Sequence, residues 1–279
     1  MPADRTRPPA TAMRFAVWGD PIEHSKSPQL HEAAYRALGL DWQYDRRQVA
    51  AAGFGDALAG LDDTWRGLSL TMPLKEQGYL AAVTRDRHAE LTGAVNTLLL
   101  GDASTGFNTD VGGIIDALAE QGITRPRSVR ILGAGATAAS ALVAASEIGG
   151  ADIDIRARRP ERSAPLVELG SRLGIRVTAN TFDAPATPVD LTIATLPSGT
   201  VLDESVSEEL ATHGGALFDV AYAPWPSALG AVWTAAPVIS GLGMLLHQAL
   251  RQVRVFLHGD PAVELPEEQR VLAAMRDAL

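Results

Sequence analysis

Three polar clusters interrupt the apolar stretches between residues 19 and 110. The first, GDPIEHSKSP, holds Ser25 and Ser27 two residues apart, directly before a predicted helix. Two hydroxyls beside free helix N–H groups can hold a carboxylate, although Ser27 alone is typical of a helix cap. The second cluster, SLTMPLK, ends a predicted strand at a proline and carries Thr71 and Lys75.

The third cluster pairs GAVNT, which contains Asn96, with GFNTD, which contains Asp110. Each segment by itself is typical of a loop or a cap. A lysine next to a carboxylate can exchange a proton with a carbonyl or alcohol oxygen, and its charge stabilises a developing alkoxide. The three clusters together predict a Lys75–Asp110 dyad in a pocket rich in hydroxyls.

A glycine-rich loop in the second half, ILGAGATA, predicts a nucleotide-binding site. Gly133 allows a tight turn, Gly135 lets the backbone approach a pyrophosphate, and the small Ala138 allows close packing of helix and strand. The helix N-terminus then offers N–H groups to the phosphates. The bare pattern also fits a simple strand–helix turn, but the surrounding strand–loop–helix–strand order favours the nucleotide.

The end of the next strand favours NADP(H) over NAD(H). A sequence that prefers NAD usually has Asp or Glu there, whereas this one has RARRPER, with four arginines in seven residues. A guanidinium group matches a 2′-phosphate, which an acidic side chain would repel. A solvated basic turn is the alternative interpretation, and the position relative to the glycine loop favours the phosphate.

Strands and helices alternate around these residues, which is typical of βαβ units and a parallel sheet. The long amphipathic helix at the end repeats leucines at helical spacing. The predicted helices are 27–38, 53–60, 163–173 and 242–257, and the predicted strands are 14–18, 42–48, 67–71, 95–100, 129–132, 152–156, 177–179, 191–195 and 216–220.

Length and composition limit the remaining possibilities. A chain of 279 residues suggests about two domains, and 46% hydrophobic residues are ordinary for a globular protein. A net charge of -9 argues against a nucleic-acid or acidic-membrane partner. The absence of cysteine excludes thiolate chemistry, and the six histidines show no metal-ligand spacing. We expect a small-molecule substrate, no metal, no membrane span, a cytoplasmic location, and a monomer or homodimer.

In seven ordered motifs, from about residue 14 to about residue 258, the sequence resembles the shikimate dehydrogenase family. The motifs are GDPIEHSKSPQLH, LTMPLK, GAVNTL, GFNTD, LGAGATAAS, FDVAYAPWPSAL and GLGMLLHQA. The resemblance implies an NADPH-dependent reduction of 3-dehydroshikimate to shikimate, in the pathway to aromatic amino acids.

The family fold implied is α/β with two domains. An N-terminal substrate-binding domain takes residues 14–110 together with 242–279, because the C-terminal helix returns to it. A Rossmann-type, doubly wound NADP-binding domain takes residues 111–241, with the boundaries near 110–113 and 241. Residues 1–13 are expected to form a flexible tail.

The resemblance also implies roles for individual residues. Lys75 and Asp110 match the catalytic pair. The substrate-binding positions are Ser25, Ser27, Thr71, Asn96, Tyr222 and Gln248. The cofactor-binding positions are Gly133, Gly135, Ala136, Arg158, Arg159, Arg162 and Gly241.

Several positions depart from the family pattern and put substrate breadth and cofactor affinity in question. Ser69 stands where asparagine is usual. Residues 157–159 are Ala-Arg-Arg instead of Asn-Arg-Thr, and residues 194–196 are Ala-Thr-Leu instead of Asn-Ala-Thr. The alternatives are a quinate or aminoshikimate dehydrogenase and, more distantly, a methylenetetrahydrofolate dehydrogenase, which lacks HSKSP. An NADP-binding module without activity is the alternative from another class, and the presence of both Lys75 and Asp110 argues against it.

Overall fold

The computed structural model describes residues 13–279 and contains two six-stranded sheets. Met13 already belongs to the first strand, and the rest of the expected N-terminal tail lies outside the described residues. Within the described part, every helix is too short or too polar to cross a membrane.

The first sheet is mixed and has the strand order β2-β1-β3-β5-β6-β4. β1 pairs in parallel with β2 and β3, whereas β5 runs antiparallel to β3 and β6. Its strands are β1 (Met13–Gly19), β2 (Trp42–Gln48), β3 (Trp65–Leu70), β4 (Thr84–Arg85), β5 (Thr97–Leu99) and β6 (Thr105–Phe107). The helices in this stretch are α1 (Ser27–Leu38), α2 (Phe54–Ala59), α3 (Lys75–Ala81) and α4 (Arg87–Thr92).

The second sheet is parallel throughout. Its strands are β7 (Ser128–Leu132), β8 (Asp152–Arg156), β9 (Arg176–Asn180), β10 (Leu191–Ala194), β11 (Ala216–Asp219) and β12 (Val238–Ser240). The order β12-β11-β10-β7-β8-β9 reverses direction between β7 and β10, which makes the sheet doubly wound. Ligands of such sheets bind beyond the carboxyl ends of the strands at the reversal.

The described part of the chain contains seven further α-helices. They are α5 (Thr109–Glu120), α6 (Ala136–Glu147), α7 (Ala164–Leu173), α8 (Glu204–Thr212), α9 (Ala228–Val232), α10 (Leu242–His258) and α11 (Glu268–Asp277). α10 packs against a hydrophobic cluster of each sheet: Met244 packs in the core of the second sheet, and Leu250 packs with Phe15 of β1.

The predicted boundary at 110–113 falls in the first turns of α5, whose Gly112 and Gly113 pack directly on Arg251 and Gln248 of α10. The predicted strand 95–100 is shorter in the structure, where β5 spans only Thr97–Leu99.

Candidate active site

A cavity of about 330 Å³ lies where the first sheet, α10 and the start of α6 meet. It brings together residues that are more than 200 positions apart in the sequence. All eight residues predicted to act in catalysis or substrate binding line it, together with Gly241: Ser25, Ser27, Thr71, Lys75, Asn96, Asp110, Tyr222 and Gln248.

The Lys75–Asp110 pair is the shortest charged contact in this cavity. Lys75 is the first residue of α3, and its Nζ donates to Asp110 Oδ2 at 2.5 Å. The two side chains are 15% and 6% exposed, so they are largely shielded from solvent but still reach the cavity. An ammonium group held in this way can donate a proton to, or stabilise negative charge on, an oxygen bound beside it.

Asn96 holds the other carboxylate oxygen of this pair. Its Nδ2 donates to Asp110 Oδ1 at 2.8 Å and to Thr109 Oγ1 at 2.9 Å. Its Oδ1 accepts from the Thr109 N–H and from Thr97 Oγ1, both at 2.9 Å. Asn96 therefore spends its hydrogen-bonding groups on fixing the first turn of α5, and with it the carboxylate of Asp110.

The two serines lie at the start of α1. The N-cap position is Lys26 and has no side-chain hydrogen bond, so Ser27 is not the helix cap that its sequence position suggested. The hydroxyl of Ser25 accepts from the Ser27 N–H at 3.3 Å. Both serines remain within reach of a ligand in the cavity they line.

Residues of the last two motifs, close to the C-terminal end of the chain, line the same cavity. Gln248, on α10, is buried, and its Oε1 lies 3.4 Å from Asn96 Nδ2. Tyr222 follows β11, and its partial burial raises the pKa of its hydroxyl. Gly241 precedes α10 with no room for a side chain, because a Cβ there would collide with the backbone of Val220.

The glycine loop leads from β7 into α6. Gly133 has φ +118°, in the region that favours glycine, and its N–H donates to Arg156 O at 2.8 Å. A Cβ on Gly135 would meet open space, and Ala136 begins α6. No side chain caps this helix, and its first turn carries no acidic residue. The loop therefore fits a pyrophosphate on its free N–H groups.

The arginine-rich turn divides into buried and exposed parts. Arg156 is 2% exposed and donates from Nε to Asp154 Oδ2 at 2.8 Å, so it is structural and not one of the phosphate ligands that the sequence suggested. Burial raises the pKa of the Asp154 carboxyl, but hydrogen bonds from Arg130 and Arg156 outweigh it and hold the pKa low. The remaining three arginines are exposed: Arg158, Arg159 and Arg162.

Thr137 and Gln252 line the cavity, although the motifs did not single them out. Thr137, the second residue of α6, joins the glycine loop to the cavity. Gln252 also lines it, and its position four residues after Gln248 was the one available signal. Ser69 lines the cavity as well, on β3 two residues before Thr71. Among residues 13–279, no cluster of three His, Asp or Glu side chains suits a metal ion.

Comparison with known proteins gives consistent matches. The family described as the shikimate dehydrogenase substrate binding domain matches residues 17–98. A shikimate dehydrogenase (NADP(+)) of Methanothermobacter thermautotrophicus is 34% identical, covering 92% of this chain and 95% of its own. One from Alkalilimnicola ehrlichii is 33% identical, covering 94% and 98%.

Solved structures agree over nearly the whole chain. The shikimate dehydrogenase of Mycobacterium tuberculosis superposes with a TM-score of 0.79 at 34% identity, covering 95% of this chain and 99% of its own. The Thermus thermophilus enzyme, solved in complex with NADP(H) and shikimate, has a TM-score of 0.78 at 28% identity, covering 96% and 100%. This chain belongs to the shikimate dehydrogenase family.

Proposed function

We propose that the protein catalyses the reversible, NADP(H)-dependent reduction of 3-dehydroshikimate to shikimate. The observation that carries the proposal is the Lys75–Asp110 pair, held at 2.5 Å in a cavity that also contains Thr137 from the start of the nucleotide-binding helix. The shikimate dehydrogenase (NADP(+)) relatives, and the related structure with NADP(H) and shikimate, support the same reaction.

NADPH, when bound, supplies the hydride that reaches the ketone carbon of the substrate. Lys75 donates its proton to the ketone oxygen, which becomes the alcohol of the product. Asp110 orients the ammonium group and stabilises its charge, and Asn96 keeps the carboxylate in place. In the reverse direction, Lys75 accepts the proton from the alcohol.

The substrate carboxylate rests on the hydroxyls of Ser25 and Ser27, with Tyr222 beside them. This assignment is supported by the position of all three at the same cavity and by the absence of a capping role for Ser27. Thr71 and Gln248 are assigned to the remaining polar contacts around the ring.

The loop of Gly133, Gly135 and Ala136, at the carboxyl end of β7, would hold the pyrophosphate of the cofactor. The exposed guanidinium groups of Arg158, Arg159 and Arg162 are assigned to the 2′-phosphate of NADP(H). Gly241 lies at the cavity, where the nicotinamide must approach the substrate.

We also propose the two-domain division of the chain, with residues 14–110 and 242–279 around the substrate and residues 111–241 around the cofactor. The support is that β1–β6 form one sheet and β7–β12 the other, while α10 packs on the core of the first. A monomer or homodimer and a cytoplasmic location stay predictions, of which light scattering tests the first.

The reaction is tested by absorbance at 340 nm with shikimate or quinate, each with NADP⁺ and NAD⁺. We expect NADPH to form with shikimate and NADP⁺, at a higher kcat/KM than with any other pair. Turnover with quinate alone, or with NAD⁺ alone, would refute the proposal. Cofactor binding without any turnover would support the inactive NADP-binding module instead.

A further inference from the structure

Gln252 has a buried amide at the cavity wall that none of the roles above uses. The residue lies one turn after Gln248 on α10, lines the cavity and is 2% exposed. Its Oε1 accepts from Ser69 Oγ at 2.7 Å and from His31 Nε2 at 3.1 Å, and its Nε2 donates to the backbone oxygen of Asn96 at 3.2 Å.

These partners determine which way the amide faces. The Asn96 carbonyl can only accept a hydrogen bond, so the Nε2 end must point to it and the Oε1 end to Ser69 and His31. A primary amide has two N–H groups, and this bond uses one of them. The second N–H has no partner among the hydrogen bonds of the described residues. A buried donor left unpaired is unfavourable, so a ligand group that accepts a hydrogen bond from it is stabilised there.

Ser69, beside Gln252 at the cavity, has the complementary polarity. Its hydroxyl donates to Gln252 and accepts from the Tyr44 hydroxyl at 2.6 Å. The donor of Ser69 is thus used, while one acceptor position remains. The cavity wall therefore offers one donor, on Gln252, and one acceptor, on Ser69.

The groups behind this wall keep that polarity constant near neutral pH. Burial lowers the pKa of His31 to about 3, partly offset by its bond to Gln252, so the imidazole is neutral and donates from Nε2 alone. Its Nδ1 lies 3.3 Å from the Tyr35 hydroxyl, which can donate to it. Burial also raises the pKa of Tyr44, which keeps its proton and continues to donate to Ser69.

We propose that Gln252, together with Ser69, binds a ring hydroxyl of the substrate that does not react, and that Gln252 is therefore a specificity-determining residue. A hydroxyl donates and accepts at once, so it satisfies both groups, whereas a ring position with hydrogen satisfies neither. This inference rests on the proposed function, because it takes a polyhydroxylated ring acid as the substrate.

The test combines variants with substrate analogues. Wild type, Gln252→Met and Ser69→Ala are assayed with NADP⁺ on shikimate and on the two analogues that lack the C4 or the C5 hydroxyl. We expect each variant to lower kcat/KM for shikimate about 10- to 100-fold, mainly through KM. For one of the two analogues, wild type and variant should differ by less than about 2-fold, because the hydroxyl that these residues recognise is missing.

The matched control is Tyr44→Phe, which removes a hydrogen bond behind the wall but no group that lines the cavity. It should change kcat/KM by the same factor on shikimate and on both analogues. For an analogue that binds without turnover, inhibition constants against shikimate replace kcat/KM. Equal losses on all three compounds for both Gln252→Met and Ser69→Ala would overturn the inference. A wild-type protein that does not oxidise shikimate would overturn the proposed function instead.

Discussion

Lys75 differs from Asn96 in the number of hydrogen-bond donors that it can still offer to a ligand in the cavity. Asn96 has spent its hydrogen-bonding groups within the protein, whereas the ammonium group of Lys75 carries three donors, one of which binds Asp110. The charge and the proton that the proposed reaction needs therefore reside on Lys75.

Replacing Lys75 with alanine tests this at the level of one residue. We expect kcat to fall about 10²- to 10⁴-fold with a modest change in the KM for shikimate, because the interaction grows as the alkoxide develops. Steady-state kinetics at 340 nm measure both values. The dissociation constant for NADPH is the control and should stay close to wild type. A rise in KM with kcat unchanged would make Lys75 a binding residue.

His31 gives a second prediction, on stability. Its pKa is about 3 in the folded protein, below the ordinary value of 6.5 for histidine, because burial disfavours the charged imidazolium. The unfolded chain therefore takes up this proton first on acidification, and stability is lost as the pH falls below 6.5. The loss from this group between pH 7 and pH 5 is about 2 kcal/mol.

Urea unfolding at pH 7, 6 and 5 checks the sign and the size. The difference in unfolding free energy between pH 7 and pH 5 should be smaller by about 2 kcal/mol in His31→Gln than in wild type, because this variant lacks the titrating group. Replacement of the exposed His258 by Gln is the matched control. Identical pH dependence in wild type and His31→Gln would contradict the buried, neutral imidazole.

At the scale of elements, the site depends on α5 and α10 approaching closely. A Cβ on Gly113 of α5 would lie 2.8 Å from the Cβ of Gln248 and 2.9 Å from its backbone nitrogen. Two side chains that line the cavity, Asp110 and Gln248, thus depend on a glycine between their helices.

We expect Gly113→Ala to destabilise the fold by about 1–3 kcal/mol and to lower kcat/KM, because it pushes α10 and Gln248 away from α5. Gly55→Ala in α2 is the control, since nothing lies within 4 Å of the added Cβ, and it should be neutral or stabilising by up to about 1 kcal/mol. Chemical denaturation and steady-state assays measure both effects. Equal stability of the two variants would contradict the tight helix contact.

The turn after β8 carries a prediction on cofactor choice. The double variant Arg158→Ala/Arg159→Ala should raise the KM for NADPH about 10-fold or more and leave the KM for NADH nearly unchanged, because only NADPH carries the 2′-phosphate. Arg176→Ala, an exposed arginine of β9, is the matched control. If the KM values for NADPH and NADH rose equally, the arginines of this turn would not recognise the 2′-phosphate.

Individual helices and strands show how much of the fold could be predicted from the sequence. α1 and β2 have the predicted bounds, because α1 has a proline near its start and a glycine after its end, and β2 alternates clearly. α3 was not predicted; it contains Gly78, a poor helix former that the packing requires, because a Cβ there would collide with Leu70. The hydrogen bonds of Gln252 were also hidden, since they join residues up to 221 positions apart.

For the whole molecule, the net charge of the protein argues against anion binding, whereas the proposed ligands are anions. The chain carries -9, while the proposed substrate and cofactor are both anions. The structure reconciles the two locally, with an exposed arginine turn, an uncapped helix at the glycine loop and one lysine, Lys75, in a cavity whose carboxylates are those of Asp110 and Glu23. Because the attraction is local, raising the ionic strength should weaken NADPH binding at the exposed turn more than substrate binding in the cavity.

Unfolding is expected to be one transition for the whole molecule, because α10 places Met244 in the core of the second sheet and Leu250 in that of the first. NADP⁺ at 100 times its Kd should then stabilise the entire fold by about 2.7 kcal/mol, although it contacts mainly one half. Calorimetry with and without NADP⁺ should show a single peak that moves as a unit, and far-UV circular dichroism should follow the same midpoint. Two peaks, of which NADP⁺ moves one, would show that the two cores unfold independently despite the helix they share.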